Sequence, residues 1–266
     1  MNNLPLELQA LFLVYLNGNE IIKLLSVEYT NMINSLRNTF QKYSYMIPLE
    51  LKRSNISFSE LKYLQNVHTI DLSETNITDV ELEYLKGVHT IDLYETNITN
   101  KGLVHLKGVH TINLGWCKKI TNAGLVHLKG VHTINLINTN ITDEGLVHLK
   151  GVHTIQLSGC KITDLGLKYL KGIHTINLSE CFDITDNGLI YLKGVYSINL
   201  DGTNITDEGL VHLKSTHTIS ISGTNVTDDG VVHLKNMNVI GFYFCKNMTE
   251  VGRKYLKNQS KTNIYL

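Results

Sequence analysis

The residues of this chain best suited to chemistry are its 12 histidines and 4 cysteines, and their spacing argues against catalysis. Seven histidines (His68, His89, His110, His132, His153, His174 and His217) stand just ahead of short Ile/Leu-containing segments, and five (His105, His127, His148, His212 and His233) lie in helix-like segments. Tyrosine takes the same places at Tyr196 and at Tyr84, Tyr169 and Tyr191, an exchange that neither a metal ligand nor a general base tolerates. The expectation is a row of stacked, half-buried rings. Cys117, Cys160, Cys181 and Cys245 share one position that is Thr75, Thr96, Thr139, Thr203 or Thr224 elsewhere. A site that accepts Thr or Cys asks for a small buried group with weak hydrogen-bonding capacity. No CxxC spacing occurs, so neither zinc nor a disulfide is expected. A catalytic centre needs unlike residues brought together once, whereas nearly every Ser, His and Asp here recurs. We therefore expect no catalytic residue, no metal ligand and no cofactor: the chain reads as a binding protein, not an enzyme.

What recurs is a phrase of about 21 residues, for instance Val131-His-Thr-Ile-Asn-Leu-Ile-Asn-Thr-Asn-Ile-Thr-Asp-Glu-Gly-Leu-Val-His-Leu-Lys-Gly151. Copies start at Met46, Val67, Val88, Val109, Val131, Val152, Ile173, Val195, Thr216 and Met237, and Lys261 to Leu266 would add a closing strand. So short a unit cannot bury its own apolar face, and stacking must supply one shared core. Ile and Leu at alternate places, as in Ile70 and Leu72, point inward, while Thr69, Asp71 and Ser73 point out, which predicts a strand. Thr142 can then cap a helix whose first turn holds Asp143 and Glu144. Leu146 and Leu149 face the core, Lys150 sits at the negative helix end, and Gly151 can take the left-handed conformation that stops the helix. Glycine at the third helical place (Gly102, Gly124, Gly145, Gly166, Gly188, Gly209, Gly230) costs about 1 kcal/mol each against alanine. Close approach of backbone is the expected reason. The sequons at Asn76, Asn97, Asn140 and Asn204 fall out of the same phrase and are read as structural.

Composition fits one continuous body. Hydrophobic residues make up 42%, well outside the disordered range. With 24 basic and 24 acidic residues the formal net charge is zero, so no whole-molecule field favours nucleic acid or an anionic membrane as partner. The apolar run Leu11 to Leu16 is too short for a membrane span and lacks a basic leader. A cytoplasmic location is expected, with the nucleus also open.

Residues 1–45 break the period. Leu4-Pro5-Leu6-Glu7-Leu8 begins a helix with Pro in the tolerated first turn, and Leu8, Leu11, Phe12, Tyr15 and Leu16 share a helical face. A turn at Asn17-Gly18-Asn19 leads into Glu20 to Val27, and a third helix runs through Leu36 and Phe40. The segment LPLELQALFLVYLNGNEIIKLLSV resembles an F-box, with Leu4, Pro5, Glu7, Leu8, Phe12, Leu16, Ile21, Leu24 and Val27 matching the motif; Glu28 to Asn31 stand where the family usually has Cys and Trp. The repeats resemble the cysteine-containing leucine-rich repeats of F-box proteins, with ITDxGL and Cys at the turn. The resemblance implies an α/β fold: a leucine-rich-repeat solenoid, or horseshoe, over 46–266, of ten repeats plus the closing strand, with parallel strands on the concave face and short helices on the convex face, behind a helical module at 1–45. It also implies the substrate-recognition subunit of a Skp1-cullin-F-box ubiquitin ligase, the nine matched residues gripping a Skp1-like adaptor and its cullin complex while the solenoid holds an unknown target protein. The alternative is a protein-binding scaffold whose N-terminal helices only cap the solenoid.

Eleven strands about 4.8 Å apart would make an exposed sheet roughly 50 Å long, most of it monotonous. Departures mark a target site. Tyr94, Glu95, Trp116 and Ile137, from three successive repeats, are expected side by side, with Trp116 the only tryptophan; exposed aromatics are typical interface anchors. Tyr243, Phe244 and Tyr265 form a second cluster. Asp71, Glu74, Asp92 and Glu95 form an acidic edge suited to basic partners.

Overall fold

Alternating inward Ile and Leu in each copy give a strand of two or three residues, and the copies pair in sequence order. The computed structural model describes residues 9–10, 13, 15–26, 31–44, 47–53, 61–235 and 239–259. Its strands are β1 Leu49–Glu50, β2 Thr69–Asp71, β3 Thr90–Asp92, β4 Thr111–Asn113, β5 Thr133–Asn135, β6 Thr154–Gln156, β7 Thr175–Asn177, β8 Ser197–Asn199, β9 Thr218–Ser220 and β10 Val239–Gly241. They form a single 10-stranded sheet in the order β1 to β10, and each neighbouring pair is parallel with like positions side by side, Ile134 beside Ile155 and Thr133 beside Thr154. Further rungs continue past the strands, as in Trp116 N–H to Ile137 O at 2.8 Å. The closing strand expected at 261–266 lies outside the described residues.

The core runs the length of the stack. Ile134, Leu136, Ile141, Leu146 and Leu149 of one copy are all buried against their equivalents in the next. Burying such side chains contributes about 1.5–3 kcal/mol each, and a single copy has nothing to bury them against.

Return segments between residues 62 and 234 are shorter and tighter than the expected helix, whereas Glu250–Gln259, after the last described strand, is a ten-residue α-helix. In the central copies one α turn, such as Asp143–Leu146, runs directly into a 3-10 turn, Val147–Leu149; at Glu81–Leu85, Gly102–Leu106 and Gly230–Leu234 the whole segment is 3-10. A segment that must reverse within one strand spacing has no room for a second α turn. Thr142 makes no side-chain cap bond, although Thr163, Thr185 and Thr206 each accept one from the backbone two residues on.

The first carboxylate of the turn serves the next copy instead of its own helix end. Asp143 Oδ1 accepts the Thr163 N–H at 2.8 Å and its Oδ2 accepts the Thr163 hydroxyl at 2.6 Å. Asp79 with Thr99, Asp164 with Thr185, Asp186 with Thr206 and Asp207 with Thr227 repeat this clasp, and Asn100 and Asn122 make its amide version. The clasp explains the recurrent glycine and corrects the expected cause. A Cβ at Gly145 would lie 2.6 Å from Asn122 Oδ1, and at Gly102 2.6 Å from Asp79 Oδ1. A clasping side chain from the preceding copy, not an approaching backbone, excludes every other residue.

The helix-to-strand connection is a type II turn. Lys150 has φ −55° and ψ 131°, Gly151 has φ 82°, and Val152 N–H reaches Leu149 O at 3.1 Å. Only the positive φ demands glycine there, and Asn66 meets the demand in an earlier copy at φ 67°. At Lys214-Ser215-Thr216 the turn changes type: Lys214 is helical, with ψ −21°, because serine does not take the left-handed conformation that type II requires.

At the N-terminal side, α1 (Gly18–Ser26) and α2 (Asn31–Tyr43) pack on the first copy. Gly18 lies so close to β1 that a Cβ would run into the Glu50 carbonyl, and Arg37 stacks 4.3 Å over the Tyr63 ring. These helices cover the open end of the core, which a solenoid requires. Among the described residues no helix is long and apolar enough to cross a membrane.

Candidate target-binding surface

From β2 to β7 the concave floor is built from two rows, Thr at the first strand residue and Asp, Asn or Gln at the third; Ser197 and Ser220 interrupt them further on. It forms a shallow trough of ≈ 350 Å³ lined by Thr90, Asp92, Thr111, Asn113, Thr133 and Asn135 among others. Most third-residue side chains, from Asp71 to Asn135 and at Asn177 and Asn199, already have partners. Asp92 Oδ1 accepts the Tyr94 N–H at 2.8 Å while its Oδ2 accepts Asn113 Nδ2 at 2.9 Å; Asn113 and Asn135 cap the N–H groups of Gly115 and Ile137 in the same way. A floor whose polar groups satisfy one another offers a partner little beyond shape.

The variation lies one step further along, at the edge where the strands end. Seventh-place residues there read Ser73, Tyr94, Gly115, Ile137, Ser158, Ser179, Asp201, Ser222 and Tyr243 in successive copies, and eighth-place residues read Glu74, Glu95, Trp116, Asn138, Gly159, Glu180, Gly202, Gly223 and Phe244. The expected grouping of Tyr94, Glu95, Trp116 and Ile137 therefore splits into two columns. Tyr94 and Ile137 share the seventh place with Gly115 between them, and the Tyr94 ring lies over that glycine, 3.1 Å from where a Cβ would be. Trp116 stands between Glu95 and Asn138 in the eighth column.

Every eighth-place residue has a positive φ, 55° at Glu95, 61° at Trp116 and 55° at Phe244, so each side chain is thrown outward from the turn. Trp116 is 42% exposed and Phe244 83%. Lys118 Nζ sits 4.4 Å above the Trp116 ring and is anchored by a 2.7 Å bond to Asn138 O, which holds the indole as a platform. Reading the sequence missed Phe182, 63% exposed, whose ring edge lies over Gly202. The copies starting at Val109 and Ile173 are one residue longer than their neighbours, and Lys118-Lys119 and Phe182-Asp183 occupy the enlarged turn; that extra residue was the available clue.

Tyr243 and Phe244 lie at the far end of the same edge, and Tyr265 is outside the described residues. The acidic edge is partly neutralised: Glu74 pairs with Arg53 at 2.6 Å and Lys52 at 3.1 Å, and these bonds, first that to Arg53, hold its carboxyl below the usual range. Of the adaptor residues, Leu4, Pro5, Glu7, Leu8, Phe12 and Val27 lie outside the described residues. Ile21 is only 1% exposed within the shared core. Leu16 and Leu24 are half-buried against that core.

The histidine row exists, with one difference from expectation. His68, His89, His110, His132, His153 and His174 stack with centroids 4.4–4.6 Å apart, and Tyr196 and His217 continue the column. Rings from His89 to His174 are exposed, not half-buried, because stacking covers their faces and leaves their edges to solvent. Each Nδ1 from His68 to His174 lies 3.0–3.2 Å from the hydroxyl of the following Thr. Desolvation, and then repulsion from His89 and His132, lowers the pKa of His110; desolvation and then His174 and His132 do the same for His153. The four cysteines are buried and free. Cys117 Sγ donates to Leu93 O at 3.0 Å in the preceding copy, whereas Thr96 at the same position bonds Leu93 O in its own. Burial raises their thiol pKa values, that of Cys181 to about 12.

The comparisons agree with this geometry. A family model described as "Leucine Rich repeat" matches residues 152–171. The chain is a leucine-rich-repeat solenoid. Among solved structures, an internalin (inlF) from Listeria monocytogenes is similar with a TM-score of 0.58 at 16% identity, over 77% of this chain and 76% of that one. Internalin C2 (inlC2) of the same organism gives 0.57 at 20% identity, over 70% and 84%. A TLR13–ssRNA13 complex gives 0.61 at 17% identity, over 80% of this chain and 35% of that one. At these identities the likeness is one of fold. No curated protein matches the chain. In this solenoid, then, the strands and clasps recur from copy to copy, and the edge that carries Tyr94, Trp116, Phe182 and Phe244 differs between copies, as does the second helical place (Val80, Lys101, Ala123, Glu144, Leu165, Asn187).

Proposed function

We propose that this solenoid is a non-catalytic receptor that grips one target protein along the edge following the strands. The single observation that carries this is the run of unlike residues along that edge with Trp116, Phe182 and Phe244 exposed on it: a surface that must recognise one partner needs unlike groups, and exposed large aromatics are typical interface anchors. Tyr94, Glu95, Trp116, Ile137, Tyr243 and Phe244, with Phe182, are the contact residues in this reading. Its test is Trp116→Ala. Such anchors cost about 2 kcal/mol or more in binding when truncated, whereas a core tryptophan costs about 3–5 kcal/mol of folding energy. The variant should keep its melting temperature and lose capture of whichever protein the wild type recovers from a eukaryotic lysate. A variant that melts many degrees lower, or captures the same protein equally well, sinks the assignment.

The N-terminal module is proposed to connect this receptor to a Skp1-like adaptor and its cullin, on the strength of the LPLEL start and the order of modules. Leu4→Ala/Pro5→Ala should abolish Skp1 recovery and leave the repeat spectrum unchanged; equal recovery by both proteins removes the ligase from the proposal. The cap-only reading has its own support, the burial of Ile21 and the seating of Gly18 on β1. In that case no Skp1 is recovered by either protein and the receptor acts alone.

A further inference from the structure

Zero net charge conceals a segregation. Every Asp and Glu between residues 101 and 235 falls between the strand's third residue and the second helical residue, as Asp143, Glu144, Glu180 and Asp186 do. None falls on the edge that precedes the strands. That edge carries one lysine per copy at the tip of the type II turn, among them Lys107, Lys129, Lys150, Lys171 and Lys193, all exposed. On one side of this row runs the stacked histidine column; on the other runs a row of half-buried rings from the helical turns, His127, His148, Tyr169 and Tyr191 among them. The rows touch: Lys150 Nζ is 5.4 Å from the Tyr169 centroid.

We infer that this edge binds the backbone of a single-stranded nucleic acid, without reading its sequence. The two edges of the molecule differ in kind. A surface that varies from copy to copy suits a unique partner, whereas a row of identical cations at the strand pitch of about 4.8 Å suits a ligand that itself repeats, with one anion per unit. A row of exposed lysines is the arrangement that tracks phosphates, and the stacked rings beside it, whose edges face solvent, line the path without taking up bases. Because the row is one cation wide, a flexible single strand can follow it for its whole length, while a rigid duplex would meet it only where one strand crosses. Invariance along the row leaves nothing to distinguish one base from another, so the contact is backbone-directed.

The test uses the full chain and a fluorescein-labelled 20-nucleotide oligo(U), read by anisotropy at pH 7.5. Binding is expected at 50 mM NaCl. If about six phosphates are neutralised, affinity should fall about 300-fold between 50 and 200 mM salt, from the single-strand slope of roughly −0.7 per contact. Lys129→Glu/Lys150→Glu/Lys171→Glu should abolish binding. Lys101→Glu/Lys161→Glu/Lys246→Glu alters the net charge equally on the opposite edge and should leave binding within about twofold. Unchanged circular dichroism in both triples keeps the comparison valid; should the first triple misfold, Lys150→Ala alone, at an exposed turn tip, should still weaken binding several-fold. No binding at 50 mM salt, or equal losses in the two triples, overturns the inference. So does an edge that ignores oligo(U) but binds vesicles of 70% phosphatidylcholine and 30% phosphatidylserine, which would make it a membrane surface. None of these outcomes bears on the target edge, whose test is Trp116.

Discussion

Replacing Gly145 by alanine should destabilise the protein, although alanine is the better helix residue by about 1 kcal/mol. The new Cβ would lie 2.6 Å from Asn122 Oδ1 and 3.0 Å from Leu125 Cδ1. Leu125 can yield through its flexible end. Asn122 cannot, because its Oδ1 accepts the Thr142 N–H at 3.0 Å and its Nδ2 donates to the Thr142 hydroxyl at 2.7 Å. Displacing the amide forfeits two hydrogen bonds at about 1 kcal/mol each, and overpacking by a methyl adds about 1 kcal/mol or more. Offset by the helix preference, the net cost is about 2 kcal/mol. For a chain of this size that is roughly 4–8 °C in Tm. The decisive measurement is a double-mutant cycle by urea denaturation, with Gly145→Ala introduced into the wild type and into Asn122→Ala. With the amide removed the obstacle is gone, and alanine should cost nothing or stabilise by up to about 1 kcal/mol. Stabilisation of the wild type by Gly145→Ala, or the same cost in both backgrounds, refutes the clasp as the reason for the glycine.

The histidine column gives a pH dependence whose direction follows from His110 and His153. Their folded pKa values lie below the ordinary value, so the unfolded chain takes up these protons first. Stability is full above about pH 6.5 and declines as pH falls from there to the folded values. Tm should therefore drop between pH 7.5 and 5.5, and drop less in His110→Gln/His153→Gln; equal drops would count against the stack as the source. Native protein at pH 8 should leave all four thiols unreacted with a disulfide reagent, since each is buried and Cys181 is pushed up to about 12. Fast labelling without unfolding would contradict their placement. Thr216 has a buried hydroxyl with no hydrogen-bond partner, at a position that is valine in most copies, so Thr216→Val should stabilise by about 1 kcal/mol, measured as a higher urea midpoint. A loss of stability there would mean that the hydroxyl is satisfied in solution.

How much of this was legible in the sequence depends on whether a feature lies within one copy or between two. Ile134 and Leu136 announce a strand with one buried face, and the periodic starts announce its parallel neighbours, because both follow from alternation and stacking alone. Leu146 and Leu149 stand three apart, a spacing that suits α and 3-10 geometry equally, so the tightness of the return segment was not readable. Gly145 was visibly costly, but the atom that forbids a side chain there belongs to the preceding copy, and only the spacing of 20 or 21 residues between each clasping Asp or Asn and its Thr hints at the bond. Tyr94 and Trp116 were grouped as outward residues near a strand end; a one-place difference in register puts them in separate columns. Composition misled in the same way. A sum over the chain returned zero charge, and a sum over positions would have returned one basic edge and one acidic edge. In a stacked repeat the informative alignment is of the chain with itself, since each place in the phrase becomes a row on the surface. Rows held constant, such as the lysines before the strands, and rows that vary, such as the one holding Trp116, face opposite edges of the same sheet and are open to partners of opposite kinds.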